Sequence, residues 1–238
     1  MMDTILNVGL NDELAEKMVE NTGNKRFVYD CYRRLIMMYS DVVCEYDKNK
    51  FECILEEYKI KNNYKFDNEL NGDDWFYITD EFKKLYKKLA KKEFPQTMEE
   101  QLLGAVSAVF RSWNNDRAIY YRKMNNIPDS WGTAVNVQEM VYGNLNEDSA
   151  TGVAFSRNPS DGSDEIYGEF MVSAQGEDLV SGVRTPLSFD EFKKIMPTQY
   201  EEFCRYAKKL EKHYKDMQDM EFTIEDKKLY MLQTRNGK

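Results

Sequence analysis

The chain has 238 residues, of which 42% are hydrophobic and 32% are charged. This apolar fraction is enough to build a core in one large or two small domains, so we expect a globular protein. The net charge of -9 argues against nucleic acid or an anionic membrane as a partner, since both require a basic surface.

The cysteines and the start of the sequence bear on the cell compartment. Cys31, Cys44, Cys53 and Cys204 form no C-x-x-C pair, and there is a single histidine, so neither a zinc site nor a disulfide framework is predicted. No stretch is apolar enough to span a bilayer, and the first residues lack the features of a signal peptide. We therefore expect a cytoplasmic protein with reduced thiols and no membrane partner.

Residues 11 to about 94 have the mixed charged and apolar texture of helices. One amphipathic stripe has apolar residues three and four positions apart: Val28, Cys31, Tyr32, Leu35, Ile36 and Tyr39. Another helix is predicted to begin at Thr79, whose hydroxyl is placed to cap it, after a loop at residues 71–74. This block is expected to form a helical subdomain.

Two more helices are predicted after Pro95, which ends the preceding pattern. Thr97 and Glu100 form a capping box that opens an apolar helix through Trp113, and a second helix is expected to follow.

From residue 133 onward the sequence has the texture of strands followed by helices. Strands are predicted at residues 133–142, 152–156 and 165–172. Capping boxes that begin at Ser188 and Thr198 predict two helices, which lead to a final hairpin. This order predicts an α+β fold, with an antiparallel sheet and helices on one of its faces.

The first strand of the final hairpin separates polar from apolar side chains. Because side chains alternate along a strand, Asp219 and Glu221 point to one face. The opposite face carries the apolar residues Met220, Phe222 and Ile224, which indicates that it is the core side.

In the return strand the same alternation places Tyr230 and Leu232 against the core and leaves Gln233 and Arg235 on the polar face. A three-residue turn at 226–228 gives these cross-strand pairs: Glu225 with Leu229, Glu221 with Gln233, and Asp219 with Arg235. A turn one residue shorter would break this grouping, because a one-residue slip moves every side chain to the other face.

The polar face has the composition of a metal and phosphate site. Carboxylate and amide oxygens, here from Glu221 and Gln233, suit Mg²⁺, which usually takes one or two protein ligands and completes its shell with water and phosphate oxygens. An arginine beside them can hold a phosphate with two hydrogen bonds. The alternative is an amphipathic surface hairpin with a structural Asp–Arg pair, and this segment alone leaves both open.

The segment from Asn144 to Gly152 is rich in small polar residues. Such a loop can close over phosphates with its backbone N–H groups and the hydroxyl of Ser149 or Thr151. The sequence contains no P-loop, no G-x-G-x-x-G fingerprint and no kinase signature, so a nucleotide here requires another fold.

Several long segments closely resemble the pyruvate, phosphate dikinase family, and together they extend over the whole chain. They are residues 132–144, 149–159, 167–170, 174–178, 182–186, 217–224 and 229–238, with shorter matches at 2–7, 26–34 and 120–122. The resemblance implies a partial ATP-grasp fold, in which two α+β lobes clamp ATP. It also implies an enzyme that uses ATP to phosphorylate a carrier histidine and inorganic phosphate, and then converts pyruvate to phosphoenolpyruvate in a separate barrel domain.

The resemblance also implies roles for individual residues. Glu221 and Gln233 match metal-binding positions, and Asp219 and Arg235 match catalytic groups that position phosphates. Further matches to nucleotide or phosphate positions are Gln138, Glu139, Met140 and Val141 in the strand lining the adenine pocket, Thr151 and Gly152 in the loop over the phosphates, Glu177 and Asp178, and Arg33. Glu169 is a candidate by its position on a strand edge.

By the same resemblance, residues 1–10 and 95–141 are the remainder of the first lobe, 11–94 an inserted helical subdomain and 142–238 the second lobe. The family's preceding segment carries a lysine and an arginine that hold the ATP phosphates. This chain starts beyond that segment, and it does not include the phosphohistidine domain or the pyruvate barrel of the family. We therefore expect a fragment that is inactive alone, from an enzyme that is a homodimer. His213 lies on a charged helix and is expected to be a surface residue.

Two alternatives stay open at this point. A phosphoenolpyruvate synthase would share the final hairpin but is disfavoured by the helical insertion. The second alternative is a non-catalytic nucleotide-binding module. The presence of all four polar hairpin residues argues against it: Asp219, Glu221, Gln233 and Arg235.

Overall fold

A computed structural model describes residues 4–181 and 184–237. Predictions that include residues 1–3, 182, 183 and 238 fall partly outside this range. The chain forms two compact units, the first ending at Met140 and the second beginning at Val141. The predicted α+β class is confirmed, because helices accompany a five-stranded antiparallel sheet. No helix within the described range is long and apolar enough to cross a membrane.

The first unit is helical. Its α-helices are α1 (Asp12–Thr22), α2 (Lys25–Met38), α3 (Asn49–Lys61), α4 (Gly72–Ala90), α5 (Met98–Ser112) and α6 (Asp116–Met124). A π-helical turn, Tyr39–Val43, continues α2. Helix α2 is buried on nearly all sides, since every residue from Phe27 to Ile36 is buried. The predicted amphipathic stripe implied one buried face, and the structure buries nearly the whole circumference of α2.

Helix α4 begins seven residues before the predicted start at Thr79. The side chain of Asn71 accepts hydrogen bonds from the N–H groups of Asp73 and Asp74, and the Asp74 carboxylate accepts one from the N–H of Asn71 at 2.8 Å. The predicted loop at 71–74 was wrong, because asparagine and aspartate serve here as cap residues and not as turn residues. Thr79 lies inside the helix, where its hydroxyl donates to the Trp75 carbonyl.

A buried ion cluster lies on α2. The Asp30 carboxylate accepts hydrogen bonds from Arg33 at 2.8 and 3.0 Å and from Arg34 at 3.1 Å. The Arg33 guanidinium also lies 4.5 Å from the centre of the Trp75 ring and 3.8 Å from Asp67. Burial by itself would raise the pKa of Asp30, but the two guanidinium groups outweigh it and hold that pKa well below its usual range.

We expect Asp30→Asn to destabilise the first unit by about 3–5 kcal/mol at pH 7, because it leaves two buried guanidinium groups without their carboxylate. Since the folded pKa of Asp30 is lowered, this contribution is present above the unfolded pKa of about 3.9 and is lost as the pH falls below it. The difference between wild type and variant should therefore shrink in acid. Urea unfolding followed by tryptophan fluorescence measures it. Asp73→Asn, which breaks an exposed pair with Lys25, should cost less than about 1 kcal/mol; an equal loss in both variants would contradict the prediction.

The second unit is a five-stranded antiparallel sheet with helices. Its elements are β1 (Ala150–Phe155), β2 (Tyr167–Val172), α7 (Gly176–Ser181), β3 (Leu187–Ser188), α8 (Phe189–Ile195), α9 (Pro197–Tyr214), β4 (Gln218–Glu225) and β5 (Lys228–Asn236). The strand order is β3-β2-β1-β4-β5, so β1 lies at the centre and β5 at one edge.

The strand predicted at residues 133–142 does not form. These residues are in no strand, and no described segment pairs with them. A β-type sequence pattern needs a hydrogen-bonded neighbour to become a strand, and the described residues provide none. The strands predicted at 152–156 and 165–172 are confirmed as β1 and β2, within two residues at each end.

Helices α8 and α9 cover one face of the sheet and form the core with it. The centre of this core is a set of aromatic rings: Phe170, Phe189, Phe192, Phe203 and Phe222. The capping box of Ser188 and Glu191 is confirmed. The predicted capping box at Thr198 was wrong, because α9 begins at Pro197, whose fixed φ suits the first helical position.

Candidate metal and phosphate site

The turn of the final hairpin has two residues. Asp226 and Lys227 have φ values of 46° and 69°, the positive angles that a type I′ turn requires at both central positions. Glu225 consequently pairs with Lys228. The predicted three-residue turn and the pairing of Glu225 with Leu229 were wrong.

A β-bulge restores the predicted pairing at the other end of the hairpin. The register shifts between Phe222 and Glu221, so that Leu232 is an extra residue on β5. Beyond the bulge the partners are those predicted: Glu221 with Gln233, and Asp219 with Arg235. The residue that is missing from the turn is therefore supplied by the bulge.

The shorter turn changes which residues of β5 face the core. Leu229 and Met231 contact the aromatic core, whereas Leu232 is 36% exposed. The prediction that Tyr230 and Leu232 face the core was wrong, because a two-residue turn places Leu229 opposite Ile224 and so reverses the alternation before the bulge.

Two cross-strand pairs form the centre of the candidate site. The Arg235 Nε donates to Asp219 Oδ2 at 2.8 Å, and Arg235 Nη2 lies 2.7 Å from the same oxygen. Gln233 Nε2 donates to Glu221 Oε1 at 3.4 Å. Glu221, Gln233 and Arg235 are exposed. A carboxylate, a carboxamide and a guanidinium are thus accessible on the sheet face opposite the aromatic core.

Glu169 lies on this same face. It pairs with Val153 of β1, and Val153 pairs on its other side with Glu221 of β4. Residues directly opposite on neighbouring strands share a face, so Glu169 is two strands, or about 10 Å, from Glu221. It lies within the inner strand β2. The structure therefore brings Glu169 into the same cross-strand row as Glu221 and Gln233.

Thr151 and Gly152 lie within β1 and not in a loop over the phosphates, and Gly152 was also the first residue of the strand predicted at 152–156. Thr151 is 3% exposed, with its hydroxyl 3.3 Å from the Phe222 carbonyl and 3.4 Å from the Thr223 hydroxyl. Because β1 pairs with β2 and β4, its backbone groups serve the sheet. Small residues occur in β1 because the strand passes close to the aromatic core. In the sequence, such a run of small residues looks like a loop.

Gly152→Ala should destabilise the second unit by about 1–3 kcal/mol, the usual cost of overpacking a core. A Cβ at this position would lie 2.3 Å from the Phe222 ring, which is held by Phe192 and Phe203. Thermal melts measure the loss, and adding Phe222→Leu should return part of it by removing the ring. A Gly152→Ala variant of unchanged stability that had lost nucleotide affinity would show that the glycine is needed for the ligand instead.

The loop before β1 is attached to the hairpin turn. The buried Ser149 hydroxyl donates to Asn146 Oδ1 at 2.8 Å and accepts from the Asp226 N–H at 3.0 Å. Lys227 contacts Asp148 through its N–H, at 2.9 Å, and through its ammonium group, at 3.0 Å. The sequence alone did not predict this connection. The Ser149 hydroxyl, a candidate for phosphate, is occupied in holding the loop against the turn.

The remaining predicted residues are on other elements than the final hairpin. Glu177 and Asp178 are in the first turn of α7, where Asp178 accepts from the Gln175 N–H at 2.9 Å. Gln138 and Glu139 are exposed, whereas Met140 and Val141 are half-buried, and none of the four is in a strand. Arg33 belongs to the buried cluster of the first unit, so its guanidinium is occupied by Asp30 and Trp75.

The donor set fits Mg²⁺. No three histidine, cysteine or acidic side chains of the described chain converge as a metal site. Glu221 and Gln233 offer two exposed oxygen ligands, which is the number that Mg²⁺ takes from protein when phosphate and water complete its shell.

Comparison with known proteins identifies the family. The model of the family described as "Pyruvate phosphate dikinase, AMP/ATP-binding domain" matches residues 1–199 and 190–238. The chain is 58% identical over 239 residues to the pyruvate, phosphate dikinase of Clostridium symbiosum and 50% identical over 250 residues to that of Rhizobium meliloti, covering all of this chain and 27% and 28% of those relatives. It is 46% identical over 238 residues to pyruvate, phosphate dikinase 1, chloroplastic, of Arabidopsis thaliana, with 25% of that protein covered. The chain thus spans about a quarter of the length of these relatives. With its whole length matched, the chain belongs to the pyruvate phosphate dikinase AMP/ATP-binding domain family.

Proposed function

We propose that this chain forms part of the ATP-binding region of a pyruvate, phosphate dikinase. The observation that carries the proposal is the pair of adjacent cross-strand contacts, Glu221 with Gln233 and Asp219 with Arg235, on an open sheet face. The family membership agrees with it. The corresponding activity is transfer of phosphoryl groups from ATP to a carrier histidine and to inorganic phosphate, which interconverts pyruvate and phosphoenolpyruvate.

In this proposal Glu221 and Gln233 hold Mg²⁺, which, when bound, neutralises charge on the phosphates of ATP. Arg235 donates two parallel hydrogen bonds to a phosphate, a geometry for which the planar guanidinium is suited. Asp219 accepts from Arg235 and so fixes the direction of its N–H groups. Glu169 lies in the same cross-strand row and is placed to contact the nucleotide or its phosphates. The cross-strand pairing of β4 with β5 holds these groups in place before the nucleotide arrives.

We also propose the division into a first lobe (residues 1–10 and 95–141), an inserted helical subdomain (11–94) and a second lobe (142–238). Inorganic phosphate, a phosphohistidine domain and a pyruvate barrel are the partners that this function requires. A cytoplasmic location and a homodimeric enzyme complete the proposal.

Thermal protection by MgATP tests the site. In the longest natural polypeptide that carries these residues, MgATP at 100 times its Kd should stabilise the folded state by about 2.7 kcal/mol. Arg235→Met should lose most of this protection, since its guanidinium is exposed on the sheet face where we propose that the nucleotide binds. Arg205→Met on α9, also exposed, is the matched control and should keep it. No protection of the wild type, or equal protection in both variants, would rule out the proposed site.

A further inference from the structure

A buried carboxamide lies on the sheet face opposite the candidate site, at the start of the strand that carries Asp219 and Glu221. Gln218, the first residue of β4, is 0% exposed. Its Oε1 accepts from the Thr234 hydroxyl at 2.8 Å, and its Nε2 donates to Asn236 Oδ1 at 2.9 Å and to the Asp216 carbonyl at 3.0 Å. The acceptor and the donor of this side chain are therefore both used, and both connect β4 to β5.

These contacts lie at the same strand ends as the Asp219–Arg235 pair, on the opposite face of the sheet. Thr234 and Asn236 are the two neighbours of Arg235 in β5, and Asp219 follows Gln218 in β4. The backbone of Gln218 also exchanges hydrogen bonds with Ser156 at the end of β1, at 2.8 and 2.9 Å. One side chain and its backbone thus tie together the three strand ends at which the ion pair lies.

The position of the bulge explains why such a connection is needed. β5 is an edge strand, and β4 is its only neighbour in the described sheet. The bulge at Leu232 interrupts the ladder, so the hairpin turn does not fix the register beyond it. A slip of one residue there would move Gln233 and Arg235 to the core face.

We propose that Gln218 is a positioning residue that locks the register of β5, so that Gln233 and Arg235 stay opposite Glu221 and Asp219. It accepts from Thr234 and donates to Asn236, two residues that share one face of the strand, and a slipped strand would present neither. This role rests on the function proposed above, because it concerns the alignment of that site.

Gln218→Met tests the role in the longest natural polypeptide that carries this chain, because methionine keeps the length of the side chain and removes its hydrogen bonds. Gln101→Met is the matched control. Gln101 is also 0% exposed, and its carboxamide bonds to the backbone of Gly9, Leu10 and Pro95 in the first unit. Both variants should lose stability. Well below their melting temperatures, only Gln218→Met should lower kcat for phosphoryl transfer from ATP, by about 10- to 100-fold, the usual effect of a misaligned group.

Hydrogen exchange separates this role from the proposed function. The backbone amides of residues 233–236 should exchange faster in Gln218→Met and at an unchanged rate in Gln101→Met. Unchanged exchange there, or a kcat that falls equally in both variants, would overturn the positioning role. If Arg235→Met kept the full kcat, the proposed function would fail instead, whatever the exchange at β5 shows.

Discussion

Glu221→Gln is expected to slow phosphoryl transfer from ATP by about 10² to 10³-fold, or roughly 3–4 kcal/mol, with little change in stability. The change keeps the shape of the side chain and removes the charge of an exposed ligand that faces away from the aromatic core. Gln233→Ala should have a similar effect, since it removes the other oxygen ligand. Because metal and phosphate contacts act on charge that develops in the transition state, the loss should appear in kcat.

Single-turnover assays of the two half-reactions in the complete enzyme measure this effect. The pyruvate half-reaction should be unaffected, because the proposal places it in a separate domain. Glu201→Gln makes the same chemical change on the exposed surface of α9 and should leave both half-reactions unchanged. A Glu221→Gln enzyme that retained the wild-type rate with ATP would exclude Glu221 as a metal ligand.

Phe222→Ala should instead act through stability, at a cost of about 3–5 kcal/mol. Its ring is 0% exposed, lies 5.4 Å from Phe192 in a stacked arrangement and 4.7 Å from Phe203. Removing it leaves a cavity at the centre of the core between β4 and the two covering helices. The folded fraction of the variant should transfer phosphoryl groups at close to the wild-type rate.

The measurement must report on the second unit. All three tryptophans, Trp75, Trp113 and Trp131, lie in the first unit, so tryptophan fluorescence should be nearly unchanged in Phe222→Ala at low denaturant. Hydrogen exchange in β4 and β5 should give the loss directly. Phe110→Ala, which truncates a half-exposed ring on α5, is the control and should cost far less. If Phe222→Ala lost only its ATP chemistry while Glu221→Gln unfolded, the facing of the hairpin would be the reverse of the one described.

The sequence by itself determined the fold class, the family resemblance and the two faces of β4. The apolar residues of β4 alternate with its acidic residues, so they fall on opposite faces of the strand. Only the apolar face, with Met220, Phe222 and Ile224, can pack against the core. The helix caps at Thr97 and Ser188 were also correct, since capping depends on residues close together in the chain.

Only the tertiary structure decided how the site residues are brought together. The two-residue turn and the bulge at Leu232 give the same final pairs as the predicted three-residue turn, and local sequence rules do not distinguish these solutions. The row that joins Glu169 to Glu221 runs across three strands, of which β4 is distant in sequence from β1 and β2. The burial of Arg33, the strand position of Thr151 and the bonds of Gln218 likewise depend on which segments become neighbours. Those contacts are non-local, and a pattern read along the chain holds no information about them.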